Sequence, residues 1–441
     1  MFDNQQNRII LHSDMNYFYA AVECLRRPEI RNLPVAVGGN EEMRHGIVLA
    51  KNQQAKSCGV GTAMTLVEAR KRCPDLVVVP PDFPLYQHYS RLAKSIYYQY
   101  TDLVEPFGPD EAWLDVSGSA HLETGGKSNS KENSTDSKGL FIATQIGKQI
   151  KSELGLTVSI GVSWNKVFAK FGSDYKKPDA ITLITPQNYQ DIVWNAPVET
   201  LLYVGRATKR KLAALSLYTI GDLAREDTRI LTSQLGKIGH TLQIFARGED
   251  ITPVKPLDPE RLAVDYDTKS VGNGFTAPHD INTAYEARQL IYMLSQSVAQ
   301  RLREQGLKAK TVCVQVRDQT DLASYVRQIQ LDKPSNITSE IACAAFTLLE
   351  ANEPLDGSRP LRSLTVRATD LVVADQPLQL DIFGDENKRI SLERLDASID
   401  ELRRRYGNSC VRRGVELADE LMSSVDIKRD NVVHPVGFFN D

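Results

Sequence analysis

The chain lacks most of the features that would place it outside ordinary water-soluble globular proteins. Its six cysteines (Cys24, Cys58, Cys73, Cys313, Cys343 and Cys410) include no Cys-x-x-Cys pair, which argues against a zinc site or a small disulfide framework. No run approaches the ~18 consecutive apolar residues of a membrane span, and the first residues have neither the basic nor the apolar region of a secretory signal. A cytoplasmic location without a membrane association is expected. Neither sign of charge dominates: 53 basic against 56 acidic side chains give −3, so any surface for a polyanion must be local. What is present is 441 residues, 41% hydrophobic and 25% charged, enough for three or four separate cores.

Hydrophobic patterning divides the chain further. The run Arg8-Ile-Ile-Leu-His-Ser-Asp14 reads as a buried strand closing on a carboxylate, and helical spacing follows over Tyr17–Leu25. Short strand-like and helical patterns between Pro34 and Pro80 suggest a small helical insertion. A helix over Tyr86–Tyr100 leads to Glu105-Pro-Phe-Gly-Pro-Asp-Glu-Ala-Trp-Leu-Asp115, whose second half alternates like a strand. Residues 123–138 hold no bulky apolar side chain and read as a mobile surface loop. A helix over Leu140–Leu154, a strand over Leu156–Val162 and a helix over Trp164–Tyr175 come next. Glycine turns beside Lys209-Arg-Lys211 and at Leu235-Gly-Lys-Ile-Gly239 suggest two helix-turn-helix units, the proline-containing stretch after Ile251 a linker, and residues 264–375 a βαββαβ unit.

Three acids stand out, Asp14 and the adjacent Asp110-Glu111, each at the end of a predicted central strand. Carboxylates gathered at one strand end repel one another unless a cation neutralises them, and hard divalent ions choose such oxygen ligands. Two magnesium ions about 3.5–4 Å apart could activate a hydroxyl and stabilise a departing pyrophosphate. Solvated loop acids are the plain alternative, and patterning leaves both open.

The stretches His12-Ser-Asp14-Met-Asn-Tyr-Phe-Tyr19, Gly108-Pro-Asp110-Glu111-Ala-Trp-Leu-Asp115 and Ser159-Ile-Gly-Val-Ser-Trp-Asn-Lys-Val-Phe-Ala-Lys170-Phe-Gly-Ser-Asp174-Tyr-Lys-Lys177-Pro178 resemble, in order and spacing, motifs of Y-family translesion DNA polymerases, closest to the bacterial polymerase IV and UV-damage-repair branch. The resemblance implies an α+β, multidomain right hand: palm at 1–18 and 84–172, fingers at 19–83, a helical thumb with helix-hairpin-helix turns at 173–250, a linker at 251–263, a βαββαβ little finger at 264–375 and a C-terminal extension at 376–441. It implies low-fidelity, template-directed extension of primers across damaged bases, with primer-template DNA and deoxynucleoside triphosphates as partners and no proofreading exonuclease. A monomer is expected. The alternatives are a catalytically silent scaffold bound to DNA or clamp, and another two-metal enzyme such as a cyclase or nuclease.

Residue by residue, the resemblance makes Asp14, Asp110, Glu111 and the Met15 carbonyl ligands of two Mg2+ ions, with Glu111 closest to the primer 3′-hydroxyl. Tyr19 matches the steric gate against ribonucleotides. Phe18, Gln53, Lys56 and Lys177 match nucleotide contacts, although Gln53-Gln-Ala-Lys56 stands where relatives often carry Tyr-x-x-Arg. Leu49, Thr62 and Ala63 align with small residues over the nascent base pair, and Asn16 replaces a frequent second aspartate. DNA-backbone contacts fall on Gly205, Gly236 and Gly239, with Tyr203 in place of the usual first glycine, and on Lys269, Ser270, Arg317, Arg327, Arg362 and Arg367. Residues 264–375 carry 12 basic against 14 acidic side chains, a net of −2, so these must gather on one face. Gln379, Leu380, Ile382 and Phe383 resemble a sliding-clamp-binding peptide. Beyond it, Leu392, Leu395, Ile399, Leu402 and Tyr406 recur at helical spacing, an apolar stripe expected to pack against the body of the protein.

Overall fold

A computed structural model describes residues 8–39, 46–119, 135–256, 268–375, 386–417 and 419–430. The clamp-like peptide at 379–383 lies outside them. The first half of the chain is built on β1 (Ile10–Met15), whose six residues are all buried. It is the centre of a five-stranded sheet ordered β5 (Val104–Pro106), β6 (Glu111–Asp115), β1, β7 (Val158–Ser163) and β8 (Ile181–Leu183). Both neighbours run antiparallel to β1. Tyr17, with φ of +55°, turns the chain directly from β1 into α1 (Phe18–Arg26).

Helices cover both faces of this sheet. The main core joins β1, β6 and β7 to α1, α4 (Phe83–Tyr97) and α5 (Thr135–Leu154). The helix α5 starts five residues before the apolar spacing begins, so the end of the expected 123–138 loop is helical. Across the other face lies α6 (Lys166–Tyr175). A Cβ on Gly161 would sit 1.9 Å from the Ala169 carbonyl oxygen, so only glycine in β7 lets α6 lie this close to the strands.

Inserted after α1 is a three-stranded sheet, ordered β3 (Val48–Lys51), β2 (Val35–Gly38) and β4 (Val77–Val79), with α2 (Gln53–Ser57) and α3 (Leu66–Arg72). The insertion is therefore mixed rather than helical. Asn52 caps α2 by accepting from Ala55 N and also from Val35 N, each at 3.0 Å. Four helices, α7 (Arg206–Ala214), α8 (Ile220–Arg225), α9 (Thr228–Leu235) and α10 (Lys237–Arg247), surround a further core. Residues Val167, Phe168 and Phe171 of α6 belong to that core too, which ties the helical unit to the first sheet.

The expected linker is not loose at its start. Val254 is buried with Ile10, Trp113 and Ala169, Lys255 N donates to Glu105 Oε2 at 2.8 Å, and Arg8 reaches the carbonyls of Ile251 and Thr252.

The βαββαβ reading of the second half agrees with the structure: β9 (Ser270–Thr283), α11 (Ala284–Glu304), β10 (Leu307–Asp318), β11 (Ser324–Ser335), α12 (Thr338–Glu350) and β12 (Asp356–Val373). The sheet order is β11, β10, β12, β9, and α11 and α12 pack on one face. A capping box between Thr283 and Glu286 starts α11.

The last long helix, α13 (Glu386–Tyr406), corrects the expectation for its apolar stripe. It docks through charged side chains: Arg303 to Asp396 and Asp400, Lys308 to Glu393, and Arg389 to Glu340. Of the stripe only Leu392 and Ile399 are half-buried, while Leu395, Leu402 and Tyr406 stay exposed, because the surface under α13 presents Arg303, Lys308 and Glu340 as well as apolar atoms.

Candidate active site and nucleic-acid face

Antiparallel pairing of β1 with β6 makes Asp14 and Glu111 direct register partners. Met15 N donates to the Asp110 carbonyl oxygen at 2.9 Å, closing the third acid onto the same strand end. Asp14 is 8% exposed. Burial pushes its carboxyl up to about 7, against the pull of Lys177 and with the push of Asp110 and Glu111. Burial and the Glu111 charge raise Asp110 as well. Burial would raise Glu111 too, but His12 and Lys170 beside it hold it at about 2. These are the like-charge, desolvated carboxylates that a divalent cation would relieve.

Two lysines engage the acids in this arrangement. Lys177 Nζ lies 2.6 Å from Asp14 Oδ2 and 2.8 Å from Asp174 Oδ1, and Lys170 Nζ lies 2.6 Å from Glu111 Oε2. Among the described residues no three His, Cys, Asp or Glu side chains are drawn together closely enough to enclose an ion; the ammonium groups supply the positive charge. The donor set, three acidic side chains at one strand end, nonetheless suits a hard cation. His12 is fully buried, with Nδ1 2.8 Å from Ser173 Oγ. Its Nε2 faces Glu111 Oε2 at 3.4 Å without a hydrogen bond. Burial pushes this imidazole down to about 4, so it is neutral at pH 7, and we attribute the low Glu111 value chiefly to Lys170.

Tyr19 stands at the start of α1 with its ring stacked on Tyr86, centroids 4.2 Å apart and 13° between planes. Burial, and less so the Asp110 charge, push its phenol up to about 12. Phe18 does not share that position. It is 3% exposed and packed in the main core. Gln53 accepts from the Tyr17 hydroxyl, and Lys56 lies exposed on α2. Sequence reasoning missed Lys51, whose Nζ donates to Thr62 Oγ1 at 2.9 Å and whose proton affinity is lowered by burial and by Lys56. It also left Lys170 without a role and passed over Lys94.

Lys94 is 2% exposed on α4. Burial pushes it down to about 8, against the attraction of Asp110 and Glu111. Its signal was available: it shares one helical face with Tyr86, Ser90, Ala93 and Tyr97, all buried, and a lysine inside an apolar stripe needs acceptors.

The glycine turns divide. Gly236, at φ +71° with open space around it, leads into α10, and Gly205 caps α7 with its Cβ direction open. Both can bring backbone N–H groups to a phosphate. Gly239 cannot, because it is buried and a Cβ there would lie 2.4 Å from the Leu231 carbonyl oxygen; it serves the packing of α10 on α9. Tyr203 adopts φ +68°, the left-handed conformation that a glycine would take without strain.

In the second sheet, strand alternation settles which side chains leave the helices. Val314 is in the core, and its register partner Arg327 therefore turns to the helical side, where Nε donates to Asn352 Oδ1 at 3.1 Å. Arg327 therefore does not share a face with Arg317 and Arg367. Cys313 and its partner Arg367, Arg317 and its partner Ser363, and Ser270 opposite Thr369 all lie on the uncovered face. Opposite Arg367 is Gly272, and opposite Thr365 is Gly274. That face is small, polar and carries two arginines, and Lys269 is exposed immediately before β9. Arg362 donates to Gln319 Oε1 at 3.0 Å, at the irregular end of β12.

Comparison with known proteins fits this geometry. The impB/mucB/samB family pattern matches residues 13–174, and its C-terminal domain pattern matches residues 268–382. The chain belongs to this family, the Y-family DNA polymerases. A DNA polymerase IV of Acetivibrio thermocellus is 47% identical over 418 residues, covering 95% of this chain and 100% of that protein. DNA polymerase IV 1 of Bacillus subtilis is 35% identical, covering 94% of each. A Y-family DNA polymerase chimera of known structure has the same fold, with TM-score 0.68 and 21% identity over 83% of this chain and 99% of that one. Both domains of the family are thus represented, and Asp14, Asp110, Glu111, Lys170 and Asp174 all fall within the first.

Proposed function

We infer that this chain is a template-directed DNA polymerase of low fidelity, which extends primers across damaged bases by phosphoryl transfer and has no proofreading exonuclease. The observation that carries this reading is the register of Asp14 against Glu111, with Asp110 tied to the same strand end, in a chain of this family.

Asp14, Asp110, Glu111 and the Met15 carbonyl would hold two Mg2+ ions. When bound, such ions neutralise triphosphate oxygens and lower the cost of deprotonating the primer 3′-hydroxyl. Lys177 is placed to exchange its ion pair with Asp14 for a phosphate oxygen of the nucleotide, and Lys51 and Lys56 add positive charge from the inserted sheet. Tyr19, held flat against Tyr86, forms the floor under the sugar and leaves no room for a 2′-hydroxyl. Gly205 and Gly236 grip the DNA backbone, and Lys269, Ser270, Arg317 and Arg367 line the face that follows the duplex. These contacts read no bases, as lesion bypass requires.

Separate cores support the division into palm, fingers, thumb and little finger, with α6 shared by palm and thumb. The protein acts as a monomer in the cytoplasm and docks on a sliding clamp through Gln379, Leu380, Ile382 and Phe383.

Primer extension by the purified protein on intact and lesion-bearing templates tests the function. Magnesium-dependent incorporation opposite and beyond the lesion is expected. Tight primer-template binding with no incorporation would replace this reading with the silent scaffold. Alanine at the four clamp-peptide positions should abolish stimulation by the clamp and leave unstimulated extension intact.

A further inference from the structure

The turn that presents Asp110 and Glu111 is fastened from beneath. Lys94 Nζ donates to the Pro109 carbonyl oxygen at 3.1 Å, the Gly108 carbonyl oxygen at 3.3 Å and Ser90 Oγ at 2.6 Å. The Ser90 hydroxyl donates to the same Pro109 oxygen. The next carbonyl, that of Asp110, accepts from Met15 N at 2.9 Å, while Phe107 N and Gly108 N reach back to the Glu111 carbonyl oxygen at 3.1 and 3.4 Å. Three consecutive carbonyls are therefore claimed by α4 and β1. The two claimed by α4 belong to residues 108 and 109, directly before the acids.

We propose that Lys94 is a positioning residue for the polymerase reaction: its buried ammonium holds the Gly108–Pro109 backbone so that Asp110 and Glu111 keep their place at the strand end they share with Asp14. This rests on the function inferred above. A methionine would occupy much the same volume among Tyr86, Ala93 and Tyr97, and would avoid the cost of burying a charge. What the ammonium adds is attachment. A carbonyl can be held by a charged donor more firmly than by a neutral one, and Lys94 is the charged donor among the groups that hold this turn. A small displacement of the acids is enough to cost rate, because in-line transfer depends on their placement to within a fraction of an ångström.

The test uses Lys94→Met, Lys94→Arg and Ser90→Ala in the full-length protein, with thermal unfolding as the control for folding. In single-nucleotide incorporation, Lys94→Met should lower kcat by roughly 10–100-fold, while KM for the nucleotide and Kd for primer-template change by less than about twofold. Lys94→Arg should recover most of the loss. Ser90→Ala should show the same split with a smaller fall, and combining it with Lys94→Met should add little. Hydrogen exchange supplies a readout independent of activity: peptides spanning Phe107–Ala112 and the Met15 amide should exchange about tenfold faster in Lys94→Met.

A folded Lys94→Met with wild-type kcat, or with unaltered exchange in that turn, would overturn the proposal. Should Lys94→Met not fold, the other two variants decide: wild-type kcat in Ser90→Ala overturns it, and a fall in kcat alone upholds it. Absence of incorporation by the wild-type protein would instead count against the polymerase reading, while the exchange measurement would still report on the tether.

Discussion

Asp14 and Glu111 face each other across one pair of antiparallel strands, and each carries its own lysine, Lys177 on the first and Lys170 on the second. The symmetry is only partial. Asp14 is destabilised as an anion by burial, whereas Glu111 is stabilised by its neighbours. The two carboxylates therefore answer differently to substitution.

Glu111→Gln keeps the shape and removes the charge. Incorporation should fall on the order of 10³-fold, the scale seen when a preorganised electrostatic contact is lost, while primer-template affinity stays near that of the wild type. Single-turnover incorporation and fluorescence anisotropy separate the two effects. Incorporation within a few fold of wild type would remove Glu111 from the site.

Tyr19→Ala should raise ribonucleotide incorporation relative to deoxyribonucleotide incorporation by at least about tenfold. Tyr86→Leu should move selectivity in the same direction by less, because the ring stacked 4.2 Å away is what keeps Tyr19 flat. Competition between matched nucleotides on one template measures both. Unchanged sugar selectivity in Tyr19→Ala would rule out the gate.

Arg317→Ala and Arg367→Ala should each weaken DNA binding uniformly across sequences and reduce the slope of log affinity against log salt by about one unit. Arg327→Ala is the built-in control. It is exposed like the others, but it points to the helical side of the sheet and bonds Asn352; its salt slope should match the wild type. A reduced slope for Arg327→Ala would mean that the strand faces are assigned the wrong way round.

One pH effect lies far from the acids. His279 Nε2 sits 2.6 Å from Asp419 Oδ2, joining β9 to the segment after α13. Burial alone would lower the imidazole, but the Asp280 carbonyl, the Asp419 carboxylate and the charge of Glu286 raise it above 6.5. Burial alone would raise Asp419, but the Met422 N–H and His279 hold it below 3.8. The histidine's contribution is complete below its unfolded value and fades as pH rises through its raised folded value. The aspartate's is complete above its unfolded value and fades as pH falls through its lowered one. The Tm difference between wild type and His279→Ala should therefore be largest near about pH 5–6 and shrink above neutrality. A difference that grows above pH 8 would exclude the ion pair.

Much of this architecture could be read without coordinates where hydrophobic spacing is long and regular. The βαββαβ unit is the clearest case, since its helices fill one face of a sheet and its long strands and helices follow one another in the expected order. Asp14 was legible as the close of an apolar run and Asp110-Glu111 as the start of an alternating one, but their role was legible only through the resemblance of the motifs around them. What could not be read was direction. Arg327 was grouped with Arg317 by composition, yet one is in step with Tyr325 and the other with Cys313, and only register shows which face each takes. Gly236 and Gly239 look alike in sequence, although one turns the chain and the other lets two helices touch. Lys94 hid inside a helix whose other buried residues are tyrosines, alanine, serine and isoleucine. The stripe on α13 was only partly informative for a different reason: Leu392 and Ile399 are half-buried, but Arg303, Lys308 and Glu340 on the surface beneath call for charged partners.

The uncovered face of the second sheet is mostly serine, threonine, glycine and glutamine, with Cys313 and Val326 among them, interrupted by two arginines. Few of its side chains are long enough to interlock with a groove. As the duplex-following face inferred above, such a surface would act as a bearing, able to carry a rod of any pattern along its length without locking at a preferred step.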